Sequence, residues 1–276
     1  MSIRLLMKTL KEISKKNHEG QWPTFTAGET DKSIGHPQGT TIVGIEYKDG
    51  IAIAADRIAT LSDGSVFSRD FIKLEDIQEN SVLAFCGTVA LAQEILQDFK
   101  NLCDRIESEI MRPISLKGQC KLLKSAVRMN FMDSIWARTG WNFGAILGGY
   151  DHTHGKAIYS FDAPSLILHQ HNFWADGSGL SQAKTFLHHN FQKNMDAANA
   201  VALVIGAIHA AGVFETSVSH PDGDPVPTVK LIDKTGIIDI PERELSRHRE
   251  ETRKMEKHFR NNKSKRKKAA SERKSG

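Results

Sequence analysis

Two pairs of helices stand between three groups of strands, and that order limits what the chain can fold into. Residues 40–47 are rich in β-branched side chains. Lys48-Asp49-Gly50 reads as a turn, with Gly50 expected to supply a positive φ, and residues 51–56 read as a second, more buried strand. A further buried strand over 81–86 stops at Gly87. The period then changes. Leu91, Ile95, Leu96, Phe99, Leu102, Ile106 and Ile110 mark one face of a long helix from Val89 to Arg112, ended by Pro113. Ser115 caps a second helix running to about Ile135. Strands follow over 142–150, 156–161, 165–169 and 173–176, then helices over 181–191 and 197–211, then strands over 228–233 and 236–240. Strands joined by short turns must pair antiparallel. Helix pairs inserted between such groups predict two stacked antiparallel sheets with helices outside, a four-layer α/β/β/α sandwich of the α+β class.

The ends differ from this body. Residues 242–276 carry 14 of the 37 Lys and Arg but 6 of the 33 Asp and Glu, a net +8, whereas residues 40–241 are net −6. An acidic body therefore carries a basic tail, expected to be disordered over 242–276. Ile3, Leu6, Leu10 and Ile13 fit a short helix, but residues 18–39 are a connector rich in Gly, Pro, Thr and Ser. No apolar leader core is visible in residues 2–17. Residues 197–214 are apolar but rich in Ala, which fits a helix buried between layers better than a membrane span. Cys86, Cys103 and Cys120 form no CxxC pair and are too few for a disulfide scaffold, so a reducing cytoplasm is expected. Asp151-His152-Thr153-His154 and His169-Gln170-His171 have metal-like spacing without a third ligand, and no metal or other cofactor is expected.

The Gly39-Thr40 bond joins the connector to the body. Cut there, Thr40 would carry a free α-amine beside its hydroxyl. An α-amine with a pKa of about 7.7–8.0 is partly unprotonated at neutral pH and can accept the hydroxyl's proton. One residue would then be both nucleophile and base.

At this point the chain resembles the β-subunit of the 20S proteasome, of the N-terminal nucleophile hydrolase family. The likeness rests on Gly39-Thr40-Thr41-Ile42-Val43-Gly44, Ala54-Ala55-Asp56-Arg57-Ile58-Ala59-Thr60 and Ser68-Arg69-Asp70-Phe71-Ile72-Lys73. Ala84-Phe85-Cys86-Gly87-Thr88 and Asp176-Gly177-Ser178-Gly179 add to it, and Ser160-Phe161-Asp162-Ala163 is similar to actinobacterial subunits. The resemblance implies a propeptide over 1–39 removed by autocatalytic cleavage at Gly39-Thr40, and a catalytic domain over 40–241. It implies Thr40 as nucleophile, Asp56 as ion-pair partner of Lys73, and Lys73 beside the hydroxyl, lowering its pKa. Gly87 would be a backbone oxyanion donor, and Ser178 would lie toward the Thr40 amine. Near Lys73, the loop 61–66 is one residue longer than usual in the family. Glu215 stands where the family has Asp, and Val218 where it has a hydroxyl residue. Ala59, Thr60, Phe71, Phe85 and Val89 match substrate-pocket positions, with Glu75 nearby, and the two phenylalanines would favour a small or medium side chain.

The implied activity is threonine endopeptidase action on unfolded proteins inside an enclosed cytoplasmic chamber. The implied partners are six further copies in a homo-heptameric β-ring, a second β-ring, α-subunits, and an ATP-dependent unfoldase or activator reached through the α-ring. No membrane and no nucleic-acid partner is expected, since a basic run such as Lys263–Lys268 is more often a solvated end. Glu215, Val218 and the longer loop leave a weak or non-catalytic ring subunit with an assembly role as the alternative.

Overall fold

The computed structural model describes residues 40–60, 65–132, 143–151, 154–162, 166–215, 218–219 and 225–250. The expected leader 1–39 with Gly39, the loop 61–64, His152 and the basic end 251–276 lie outside the described residues.

The chain opens with β1 (Thr41–Glu46), β2 (Gly50–Ala55), β3 (Ala59–Thr60), β4 (Val66–Ser68), β5 (Leu74–Gln78) and β6 (Ser81–Gly87). Helices α1 (Val89–Ile110) and α2 (Leu116–Met132) follow, then β7 (Phe143–Asp151), β8 (Gly155–Asp162), β9 (Leu166–Gln170) and β10 (Phe173–Gly177). Helices α3 (Leu180–Asn190) and α4 (Ala197–Gly212) precede β11 (Thr228–Asp233) and β12 (Gly236–Asp239). One sheet has the order β10-β1-β2-β11-β12 and the other β5-β6-β7-β8-β9, with every pairing antiparallel.

Three apolar clusters place the layers. Ile42, Ile51, Ile53, Ile146, Ile158 and Ile232 meet between the two sheets. Val43, Ala52, Ala54 and Leu231 pack with Leu187, Val204 and Ile208 of α3 and α4. Leu83, Phe85, Ala145 and Leu147 pack with Leu91, Phe99 and Leu123 of α1 and α2. The period of two explains β2: Ile51, Ile53 and Ala55 point to the sheet interior, while Ala52 and Ala54 point to α4. Each buried Ile contributes roughly 1.5–3 kcal/mol relative to leaving it in water. The predicted four-layer α/β/β/α sandwich is the fold that forms.

Several local readings change. Gly50 is not in the left-handed region; it begins β2, and glycine is needed there because a side chain would start 2.0 Å from the Ile232 carbonyl oxygen. Helix α1 stops before Pro113, at a left-handed Met111 (φ 52°) whose N–H donates to Glu107 O. Ser115 does cap α2, its Oγ accepting from Gly118 N at 3.2 Å. Residues 242–250 are helical and Leu245 is buried in the α3/α4 core, so the ordered body runs past 241 rather than giving way there to a tail. The strands β3, β4 and β5 carry no signal strong enough to be read in advance. The first two are very short, and Leu74-Glu75-Asp76-Ile77-Gln78 lacks β-branched enrichment. Among the described residues no helix is long and apolar enough to cross a membrane, and α4 is instead packed in the outer layer.

Candidate active site

Asp56 follows the last residue of β2, where its side chain turns into the protein and is fully buried. A buried carboxylate must be met by donors. Asp56 meets four: Thr41 N (2.8 Å) and Lys73 Nζ (3.0 Å) on Oδ1, and Ile58 N (3.0 Å) and Lys73 Nζ (3.0 Å) on Oδ2. Lys73 is 2% exposed and also donates to Ile58 O at 2.5 Å. The lysine enters from the segment before β5, where its carbonyl accepts from Phe85 N of β6 at 3.1 Å. Burial pushes the Lys73 ammonium down and the Asp56 carboxyl up, and the mutual attraction of the pair opposes both shifts. The acceptor-only carboxylate is the form that suits four donors.

Thr40 lies one residue from this pair and is 8% exposed. Its backbone is fixed from the other side by the turn after β10. Ser178 N donates to Thr40 O at 2.8 Å, and Ser178 Oγ reaches the same oxygen at 3.4 Å. The serine thus contacts the Thr40 carbonyl. Gly177 pairs with Thr41 and has φ 95°; a side chain there would begin 1.9 Å from Thr40 O. Gly179 is confined in the same way, 2.3 Å from Thr41 Oγ1 and from Ala211 Cβ. Gly177 and Gly179 thus both serve close backbone approach.

Gly87 ends β6 with φ 103°, which favours glycine, directly before Thr88 at the N-terminus of α1. Phe71 and Phe85 stand edge to face with centroids 6.4 Å apart, and Phe71 N donates to Arg57 O at 3.0 Å. Ala59 and Phe85 are buried, while Thr60, Phe71 and Val89 remain partly exposed. Glu75, half-buried, pairs with Lys100 of α1 at 2.6 Å.

The C-terminal end of α4 does not join this cluster in the expected way. Among the described contacts Glu215 is held through its backbone, with Ala211 O and Val218 N. Val218 is a fully buried member of the α3/α4 core. The nearby hydroxyl is that of Ser219, also fully buried, whose Oγ accepts from Arg57 N at 3.4 Å. Sequence reading missed Ser219 because the spacing from Glu215 points to Val218; a small hydroxyl residue beside it was the available signal.

A family model described as "Proteasome subunit" matches residues 37–220. Proteasome subunit beta 2 of Thermomonospora curvata is 29% identical over 213 residues, covering 76% of this chain and 75% of that protein. Proteasome subunit beta of Jonesia denitrificans is 30% identical over 230 residues, 82% and 74% of the two chains. Proteasome subunit beta 1 of Streptomyces avermitilis is 30% identical over 227 residues, 79% and 78%. With a family match over residues 37–220 and relatives at 30% identity covering 82% and 79% of its length, the chain belongs to the proteasome β-subunit family.

Proposed function

We propose that this chain is a threonine endopeptidase that cuts unfolded polypeptides within an assembled, cytoplasmic proteasome particle. The observation that carries the reading is the buried Lys73–Asp56 pair, hydrogen-bonded to Thr41 N beside Thr40. A buried ion pair in so confined a place is costly as pure structure, since hydrophobic replacement is often neutral or better. Its position next to a hydroxyl nucleophile gives it a chemical use.

In maturation, Thr40 Oγ attacks the Gly39 carbonyl carbon, and the Gly39–Thr40 C–N bond breaks as the acyl group passes to oxygen. Water then hydrolyses that ester, releasing residues 1–39 with a carboxylate and Thr40 with a free amine. In turnover the Thr40 amine takes the hydroxyl proton as Oγ attacks a substrate carbonyl. The Lys73 charge stabilises the developing alkoxide and the Gly87 N–H stabilises the oxyanion, a donor worth on the order of 2.7–4 kcal/mol. The protonated amine gives its proton to the leaving nitrogen. Water, deprotonated by the freed amine, cleaves the acyl-enzyme. Phe71 and Phe85 beside Ala59 and Val89 favour a small or medium side chain before the cut. Ring assembly with α-subunits, and feeding by an unfoldase, belong to the same reading.

Thr40→Ala tests it: fluorogenic peptide hydrolysis should vanish while assembly with α-subunits persists. Wild-type-like turnover by that variant would refute the assignment. A second reading, a ring subunit without catalysis, is favoured by Val218 standing where a hydroxyl was expected; it predicts no turnover by the wild type either.

A further inference from the structure

Asp176 is the residue before the Gly177-Ser178-Gly179 turn, in the last strand ahead of α3. Its carboxylate has two distinct engagements. Oδ1 accepts from Gly177 N at 2.7 Å, within the turn that docks Ser178 onto Thr40. Oδ2 reaches across the space between the sheets toward β7 and β6. A side chain on Gly144 would begin 2.9 Å from Asp176 Oδ2 and 2.9 Å from Cys86 Sγ, so Gly144 leaves room for both groups.

Cys86 stands in the field of both Asp176 and Lys73. Burial first, and then the Asp176 charge, push the Cys86 thiol well above its ordinary range, so it stays neutral. Charged and titratable groups from separate elements stand around Asp176 and Cys86. Asp56 follows β2, Cys86 is on β6, and Lys184 of α3 lies over the Trp174 ring at 3.1 Å and in the field of Asp176. The Thr40 amine joins them once the chain is cut.

We propose that Asp176 is a positioning residue of the Thr40 site: its carboxylate holds the left-handed turn that presents Ser178 to Thr40, with its far oxygen lodged beside Cys86 between the sheets. The proposal rests on the threonine-peptidase reading above. Asp176→Asn keeps an acceptor for Gly177 N and removes the charge. Asp176→Ala removes both, so the pair separates the hydrogen bond from the charge.

The experiment uses the assembled particle. Peptide turnover is followed for wild type and both variants, with hydrogen exchange of the backbone amides at 177–179. For Asp176→Asn the loss of turnover is smaller than for Asp176→Ala, because the amide oxygen still accepts from Gly177 N. For Asp176→Ala, kcat falls by at least about tenfold with KM within about twofold, and exchange at 177–179 accelerates. Unchanged turnover with unchanged exchange in Asp176→Ala overturns the proposal. A wild type without turnover refutes the peptidase reading instead. Exchange then decides alone: acceleration in Asp176→Ala upholds the positioning of the turn, and no change overturns it.

Discussion

Replacing Lys73 by Met removes a charge but little volume, and leaves Asp56 buried with two of its four hydrogen bonds, those from Thr41 N and Ile58 N. An uncompensated buried charge of this kind costs about 3–5 kcal/mol. The carboxyl can escape by taking a proton. From an ordinary pKa of about 3.9, that costs about 4 kcal/mol at pH 7 and about 1.5 kcal/mol at pH 5. Burial already pushes the Asp56 carboxyl up, and Lys73 is the largest influence pulling it down, so the substitution leaves burial dominant. The sign follows: the folded variant binds a proton that the unfolded chain does not, so its stability rises as pH falls from 7 towards 4. Urea denaturation of the subunit at pH 7 and pH 5 should show a deficit of about 4 kcal/mol shrinking by about 2–3 kcal/mol. Asp56→Asn combined with Lys73→Met should recover most of the loss at pH 7, since no charge then remains. A variant as stable as wild type at pH 7, or equally destabilised at both pH values, would refute the buried-pair reasoning.

Three further outcomes are expected. Gly50→Ala places a methyl 2.0 Å from the Ile232 carbonyl oxygen and should cost at least about 2 kcal/mol by prising β2 from β11, read as a fall in urea midpoint. Burial lowers the Lys230 pKa, but its bonds to Asp239 and Asp76, which tie β11 to β12 and to β5 of the other sheet, more than offset this and raise it. That contribution is fully present below about pH 10.4 and fades as pH rises through the elevated value; with both carboxylates well exposed it is worth about 0.5–1 kcal/mol, so Lys230→Met should destabilise by that much at pH 8 and less at pH 11. Cys86, Cys103 and Cys120 are buried, and burial pushes the Cys103 and Cys120 thiols up to about 12, so a thiol reagent at pH 8 should label the native chain slowly and all three after unfolding.

The layer order was legible because periods of two and 3.6 alternate cleanly along the chain. β2 displays the first in Ile51, Ile53 and Ala55 against Ala52 and Ala54, and α1 displays the second. Long-range close approach was not legible. Gly50 looks like a turn residue locally, and only the pairing of β2 with β11 shows why it must be glycine. The Lys73–Asp56 pair was reachable through the resemblance alone; composition cannot say that a lysine after an exposed Ile72 is 2% exposed. At the C-terminal end of α4, spacing pointed to Val218, whereas packing buries that valine in the core and brings Ser219 to Arg57. Asp176 stands in a motif that the sequence displays, but its role was not legible, because an Asp before a glycine turn is ordinary and its reach toward Cys86 depends on the facing sheet.

The Thr40 assignment is tested most directly by the mass of the chain recovered from assembled particles, before and after exposure to a peptide electrophile that captures hydroxyl nucleophiles. The mature chain should begin at Thr40, and a single adduct should map to that residue; Thr40→Ala should retain residues 1–39 and take up no adduct. Particles of wild-type chains that keep residues 1–39, or an adduct mapped to any other residue, would contradict the account.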